Sequence, residues 1–117
     1  MRNIKQALEA VWEALEAKKG EQMVLLDISQ SASFTDYFVI ATGRNSRQTR
    51  AMADSVVEVL KDEGLSVDHV EGYQRGEWIL LDCMSFMVHI FVPGHRSYYN
   101  LEKLWGDGKR VRSSGGK

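Results

Sequence analysis

The sequence predicts a single α/β domain built on a mixed β-sheet of about five strands. Three observations lead there. Segments with helical apolar spacing (4–15, 46–60 and 96–105) are interleaved with short apolar segments at 23–28, 36–43 and 78–92. A helical segment separates 36–43 from 66–71, and a strand–helix–strand connection of that kind is a right-handed parallel crossover. Residues 78–83 and 86–92 read as a hairpin, hence an antiparallel pair. The element order is αββαββα.

The elements follow in turn. Ile4, Leu8, Val11, Trp12 and Leu15 recur at helical spacing, with Ala7 beside them. Asn3 can cap this helix, and Lys18, Lys19 and Gly20 mark its end. "MVLLDI" (23–28) is short, apolar and partly β-branched, and reads as a buried strand. "SQSAS" is a polar loop, after which Thr35 and Asp36 organise the approach to a second strand, "DYFVIATG" (36–43). In "NSRQTRAMADSVVEVLKDEG", Asn45 or Ser46 can cap a second helix. Its buried stripe is Met52, Val56, Val59 and Leu60 with Ala53, and Gly64 is a good C-terminal stop. "SVDHVEG" (66–72) alternates and reads as a short strand near an edge. "YQRGE" is a turn, and Pro93–Gly94 ends the hairpin that follows. "RSYYNLEKLW" is a third helix, with Leu101, Leu104 and Trp105 on its apolar side. The domain therefore spans 1–105. The remainder, 106–117, is glycine-rich and basic, too poor in apolar residues to fold alone, and is expected to be a flexible tail.

Bulk properties narrow the function. A chain of 117 residues suits one domain, which at this size buries roughly two thirds of its unfolded surface. With 44% hydrophobic and 26% charged residues it is an ordinary globular chain. A formal net charge of −1 gives no global field for nucleic acid, although a local patch can still exist. Cys83 is the only cysteine, so no internal disulfide can form, and a reduced, cytoplasmic compartment is the simplest expectation. The N-terminal segment scatters charges where a signal peptide has an apolar core. No apolar run reaches the ~18 residues that span a membrane.

The hairpin "GEWILLDCMSFMVHIFV" (76–92) is the most apolar part of the chain. If Met84 and Ser85 form a two-residue turn, Cys83 faces Phe86, Asp82 faces Met87, Leu81 faces Val88, and Trp78 faces Phe91. Ile79, Leu81, Phe86, Val88 and Ile90 then share one wholly apolar face. Trp78, Leu80, Asp82, Met87, His89 and Phe91 share the other. An unpaired buried Asp or His is costly, so this mixed face should be partly wet or partnered. Two readings stand for it: a contact surface, since interfaces favour Trp and Met, or a second core layer completed by Trp78 and Phe91. Met–Ser is poor chemistry for a primed turn, and a shift of one residue would swap the faces.

Signals for catalysis are weak. His69, His89 and His95 form no HxH pattern and there is no CxxC, so neither a metal nor a cofactor is expected. Cys83 belongs near the hairpin tip, without a base to activate it. Gly43, Arg44, Ser46 and Arg47 stand where a strand meets a helix N-terminus, a geometry that can cradle an anion. Glycine at such a turn is equally plain backbone geometry, and neither the Walker nor the dinucleotide fingerprint is present. Asp27 and Asp36 flank one loop but form no D-x-D pair.

Three blocks, "DYFVIATGRNSRQTRAMAD", "GEWILLD" and "VHIFVPGHRSYYNLEKLW", occur in an order that resembles the ribosomal silencing factor, or Iojap-related, family over roughly residues 22–105. The resemblance implies a fold similar to nucleotidyltransferases without their catalytic carboxylates, and a homodimer that is not an enzyme. It implies a translational repressor that binds the intersubunit face of the large ribosomal subunit, through the fourteenth large-subunit ribosomal protein, and blocks joining of the small subunit. The positions it assigns to the ribosomal-protein contact are Trp78, Leu80, Asp82 and the hairpin tip at Cys83 and Met84, with Tyr98 and Tyr99 at the rim. The chain departs from the family at that tip, where Met84–Ser85 replaces the usual Gly–Asp, and at Gly94, where the family often has Glu. The alternatives are a nucleotide-binding or nucleotidyltransferase-like enzyme using the 43–47 turn, and a secondary, direct RNA contact through Arg44, Arg47, Arg50 and the basic tail.

Overall fold

A computed structural model describes residues 4–30, 35–94 and 109–113. The chain runs α1 (Ile4–Ala17), β1 (Glu21–Asp27), β2 (Tyr37–Thr42), α2 (Ser46–Asp62), β3 (His69–Glu71), β4 (Trp78–Asp82), β5 (Phe86–Phe91) and β6 (Lys109–Ser113). The strands form one mixed sheet in the order β3-β4-β5-β2-β1-β6. β2 and β5 are parallel, and the other neighbours are antiparallel.

Local chemistry explains the helix ends. Asn45 is extended, and its side chain accepts the Gln48 N–H at 2.9 Å, satisfying one of the free amides at the start of α2. At the other end Gly64 sits at φ +81. Its N–H bonds the Lys61 carbonyl while the Leu65 N–H reaches Leu60, so the last carbonyls of α2 are satisfied. α1 ends in the same way with Lys19 in the left-handed position, one residue before the glycine. Asn3, the expected cap of α1, lies outside the described residues.

The helical stripes and strand alternation meet in one core. Leu8, Trp12 and Leu15 of α1 and Met52, Val56 and Leu60 of α2 pack with Leu25, Val39, Ile79, Leu81, Val88 and Ile90. Val59, expected in the buried stripe of α2, is only half-buried. The opposite face of the sheet holds a second apolar cluster of Val24, Leu26, Ile28, Phe38, Ile40 and Phe91, with Trp78 and Met87 against it.

The strand count and the extent of the tail are corrected. The sheet has six strands, because residues 109–113, expected within a flexible tail from 106, pair with β1 as β6. Without β6, β1 would present an edge of unpaired backbone groups. A strand that bonds such an edge needs few apolar side chains of its own. β6 is also tied down by Arg112, whose guanidinium bonds Glu9 Oε1 at 2.9 Å and lies 4.5 Å from the centroid of the Trp12 ring. The crossover from β2 through α2 does reach a strand of the same direction, β3, which is not a neighbour of β2. β4 and β5 lie between them, and β5 is the strand that pairs with β2. The reason is length: β5 matches all of β2 from Tyr37 to Thr42, whereas the three residues of β3 suffice only for an edge. The third helix expected at 96–105 lies outside the described residues.

Candidate functional site

The hairpin has the predicted register, with Asp82 opposite Met87, Leu81 opposite Val88 and Trp78 opposite Phe91. The Cys83 N–H closes the turn on the Phe86 carbonyl at 3.0 Å. Met84 takes φ +72, the left-handed position a primed turn gives to its first central residue. Asp82 compensates: its Oδ1 accepts the Met84 N–H at 3.0 Å. Met84→Gly should therefore stabilise the protein by about 0.5–1 kcal/mol, the left-handed penalty less the extra chain entropy of glycine. A rise in the urea midpoint at unchanged slope would register it.

Trp78, Leu80 and Asp82 share the mixed face, as predicted, and all three are half-buried. Pairing with β3 sets Glu71 beside Leu80 and His69 beside Asp82. His69 Nε2 and Glu71 Oε2 lie 2.7 Å apart, within hydrogen-bond distance, and both residues are exposed. The outcome is a small apolar surface, Trp78 and Leu80, bordered by the carboxylates of Glu71 and Asp82. Nothing local marks Glu71 or His69 for this place, since only the β3–β4 register brings them here. Met84 extends the surface at the tip, 64% exposed, and Val70 lies on the edge strand at 42%. Cys83 does not join this face. It packs against the helix-side core, where burial and then the Asp82 charge push its thiol up to about 12, so it is no nucleophile near neutrality. Tyr98 and Tyr99 lie outside the described residues.

The core-layer reading of the mixed face holds for Phe91, whereas Trp78 stays partly exposed. Phe91 is fully buried and belongs to the second core layer. Trp78 is half-buried on top of it, with the two rings stacked at 5.1 Å, and its indole Nε1–H donates to His89 Nδ1 at 3.1 Å. His89 was expected to be wet or partnered; it is partnered and 5% exposed. Its Nε2 has no hydrogen-bond partner among the described residues, an arrangement that costs roughly 1–3 kcal/mol. Among the described residues, the side chains beside it, Phe38, Ile40, Trp78, Leu80 and Phe91, carry no charge.

Burial lowers the His89 pKa from 6.5 to about 4. Between those values the unfolded chain takes up a proton that the folded one refuses. The stabilisation by neutral His89 is therefore complete above the unfolded pKa and falls as pH drops toward the folded one. At pH 5 the loss should be about 2 kcal/mol relative to pH 7. Urea unfolding at the two pH values would measure it, and the His89→Asn variant should lack this component.

Trp78 is placed by the turn before it. Gly72 has φ +78, and a Cβ there would sit 2.0 Å from the Trp78 carbonyl oxygen. The turn is held by the first half of α2: Thr49 Oγ1 donates to the Gly76 carbonyl at 2.6 Å, Arg50 to the Gln74 carbonyl at 3.1 Å, and the Tyr73 hydroxyl to Asp54 at 2.9 Å. The 43–47 segment serves the same junction. Gln48 Oε1 accepts the Arg44 N–H at 2.7 Å, and the Gln48 side-chain amide caps the Lys18 carbonyl at the end of α1. Arg44 is 3.8 Å from Glu21, and Ser46 packs against Gly76. Gly43, Arg44, Ser46 and Arg47 are thus neighbours, but most of the polar groups around them are turned to joining helix, strand and turn.

Among the described residues no group of three His, Cys, Asp or Glu side chains is placed to hold a metal ion, and no helix is long and apolar enough to cross a membrane.

Comparison with known proteins gives a consistent result. The family model described as "ribosomal silencing factor during starvation" matches residues 1–116. A protein named ribosomal silencing factor RsfS from Halalkalibacterium halodurans is 36% identical over 108 residues, covering 92% of this chain and 92% of that protein. Its namesake from Chromobacterium violaceum is 41% identical over 97 residues, covering 83% and 80%. A mouse protein named mitochondrial assembly of ribosomal large subunit protein 1 is 30% identical over 94 residues, 78% of this chain and 41% of its own length. The crystal structure of a Chromobacterium violaceum protein superposes with a TM-score of 0.87 at 37% identity, covering 97% of this chain and 94% of that one. One from Bacillus halodurans gives 0.81 at 33% identity, covering 92% and 98%.

Proposed function

The chain belongs to the ribosomal silencing factor family, and on that premise we propose that it represses translation by occlusion. It binds the intersubunit face of the large ribosomal subunit, through the fourteenth large-subunit ribosomal protein, and its bulk keeps the small subunit away. It does this as a cytoplasmic homodimer, and no catalysed reaction is required.

The observation that supports this reading is the surface on β4: Trp78 and Leu80 half-buried, with Glu71 and Asp82 beside them. A large aromatic anchor with acidic neighbours suits a basic partner, because opposite charge speeds encounter and an aromatic at the centre carries affinity. Ribosomal proteins, which sit on RNA, are commonly basic. A specific contact needs roughly 1,200–2,000 Å² of total buried area, within reach of the hairpin and the adjoining edge strand. The name of the mouse relative, which refers to the ribosomal large subunit, points the same way.

Sedimentation with purified, dissociated subunits tests the proposal. The protein should travel with the large subunit and not the small one, and adding it before the small subunit should lower the yield of joined ribosomes. Binding to neither subunit, or binding without any effect on joining, would remove the mechanism.

A further inference from the structure

We propose that His89 is a positioning residue for this contact: its Nδ1 anchors the Trp78 indole in the orientation that meets the partner. The inference rests on the proposed role of the Trp78 surface and adds a residue to it that does not itself touch the partner.

The geometry carries it. Trp78 and Phe91 are directly opposed in the β4–β5 register, and His89 lies diagonally, two residues along β5 on the same face. The indole stacks on Phe91 at 5.1 Å and donates Nε1–H to His89 Nδ1 at 3.1 Å. Stacking alone lets a half-buried indole slide or turn over on the ring beneath it; the hydrogen bond at its edge singles out one orientation. An indole N–H can only donate, so Nδ1 accepts and the imidazole proton resides on Nε2. That nitrogen is buried and has no hydrogen-bond partner among the described residues.

That nitrogen, without a partner among the described residues, is what makes the arrangement informative. Leucine or phenylalanine at position 89 would fill this apolar surrounding with no orphaned donor. Histidine forgoes that stability, and the one hydrogen bond its ring makes among the described residues goes to Trp78. A fixed anchor binds more tightly than a mobile one because less freedom is lost on association.

Two substitutions separate this role from plain packing. In His89→Leu the acceptor is lost. In His89→Asn the amide oxygen occupies the place of Nδ1 and can still accept. Affinity for the large subunit should fall about tenfold in His89→Leu and recover most of the way in His89→Asn, although the asparagine fills less space. The indole N–H resonance of Trp78, assigned by its absence from Trp78→Phe, should move upfield in the leucine variant and remain near its place in the asparagine variant. A folded His89→Leu that binds like the parent overturns the proposal if Trp78→Ala has lost binding. If Trp78→Ala also binds normally, the reading of the whole surface fails instead. The unmutated protein provides a check that needs no variant to fold. Uniform ¹⁵N labelling should reveal a scalar coupling across the hydrogen bond between Trp78 Nε1 and His89 Nδ1, and its absence overturns the proposal.

Discussion

Trp78→Ala should weaken binding to the large ribosomal subunit by about 30-fold or more, roughly 2 kcal/mol, as expected for a central aromatic anchor. The variant will also be less stable. Removing the indole uncovers Phe91 and leaves His89 Nδ1 without its donor. Full truncation of a buried tryptophan costs about 3–5 kcal/mol, and a half-buried one should lose about half as much. Binding must therefore be measured well below the melting temperature, by sedimentation over a range of subunit concentrations, with circular dichroism showing that the fold persists. Trp78→Phe keeps the stacking and loses only the N–H and part of the area, so it should fall between parent and alanine variant in both properties. A folded Trp78→Ala with parental affinity would exclude Trp78 from the contact.

Gly72→Ala should cost about 3 kcal/mol or more, although the residue is exposed and belongs to no strand. Two effects add. A Cβ at φ +78 is strained, and it would lie 2.0 Å from the Trp78 carbonyl oxygen, which is backbone and cannot swing aside. The chain must shift at the point where β4 begins, so Trp78 should move as well. Loss of stability and of subunit binding should therefore appear together. Gly94→Ala is the control: among the described residues nothing lies within 4 Å of the added atom, and its effect should stay within about 0.5 kcal/mol. Urea unfolding of both variants decides the matter. A Gly72→Ala protein as stable as the parent would mean that the turn does not fix the start of β4.

Strict alternation makes the two strands of the hairpin legible in the sequence. Within each strand Ile79 and Leu81, and Val88 and Ile90, had to share a face; that the two sets share one face followed only from a two-residue turn at Met84–Ser85, which the structure has. The partnership of Trp78 with His89 was latent in that register, since a bond between diagonal neighbours follows from it once a buried imidazole must find a partner. Asn45 and Gly64 were legible because capping chemistry is local. Other features were not. β6 has one apolar residue in "KRVRS", and what holds it, backbone pairing to β1 and Arg112 against Glu9 and Trp12, comes from the far end of the chain. The strand order was hidden for a similar reason: nothing near residue 40 says that its parallel neighbour will be found beyond residue 85. The "NSRQTR" block looked like an anion cradle because arginines at a helix N-terminus look alike whether they meet phosphate or not. Only the positions of Gly76, Gln74 and Asp54 show Thr49, Arg50 and Tyr73 fastening a turn.

The sixth strand has a consequence for synthesis. The bond from Arg112 to Glu9 spans 103 positions of sequence, so the flank of β1 stays open until nearly the last of these residues has been translated. During that interval a nascent chain exposes a hydrogen-bonding margin that any other extended peptide can occupy. A protein stopped short of Lys109 would keep that margin for good and should be prone to clump with its own copies, even with every residue of the tryptophan surface in place.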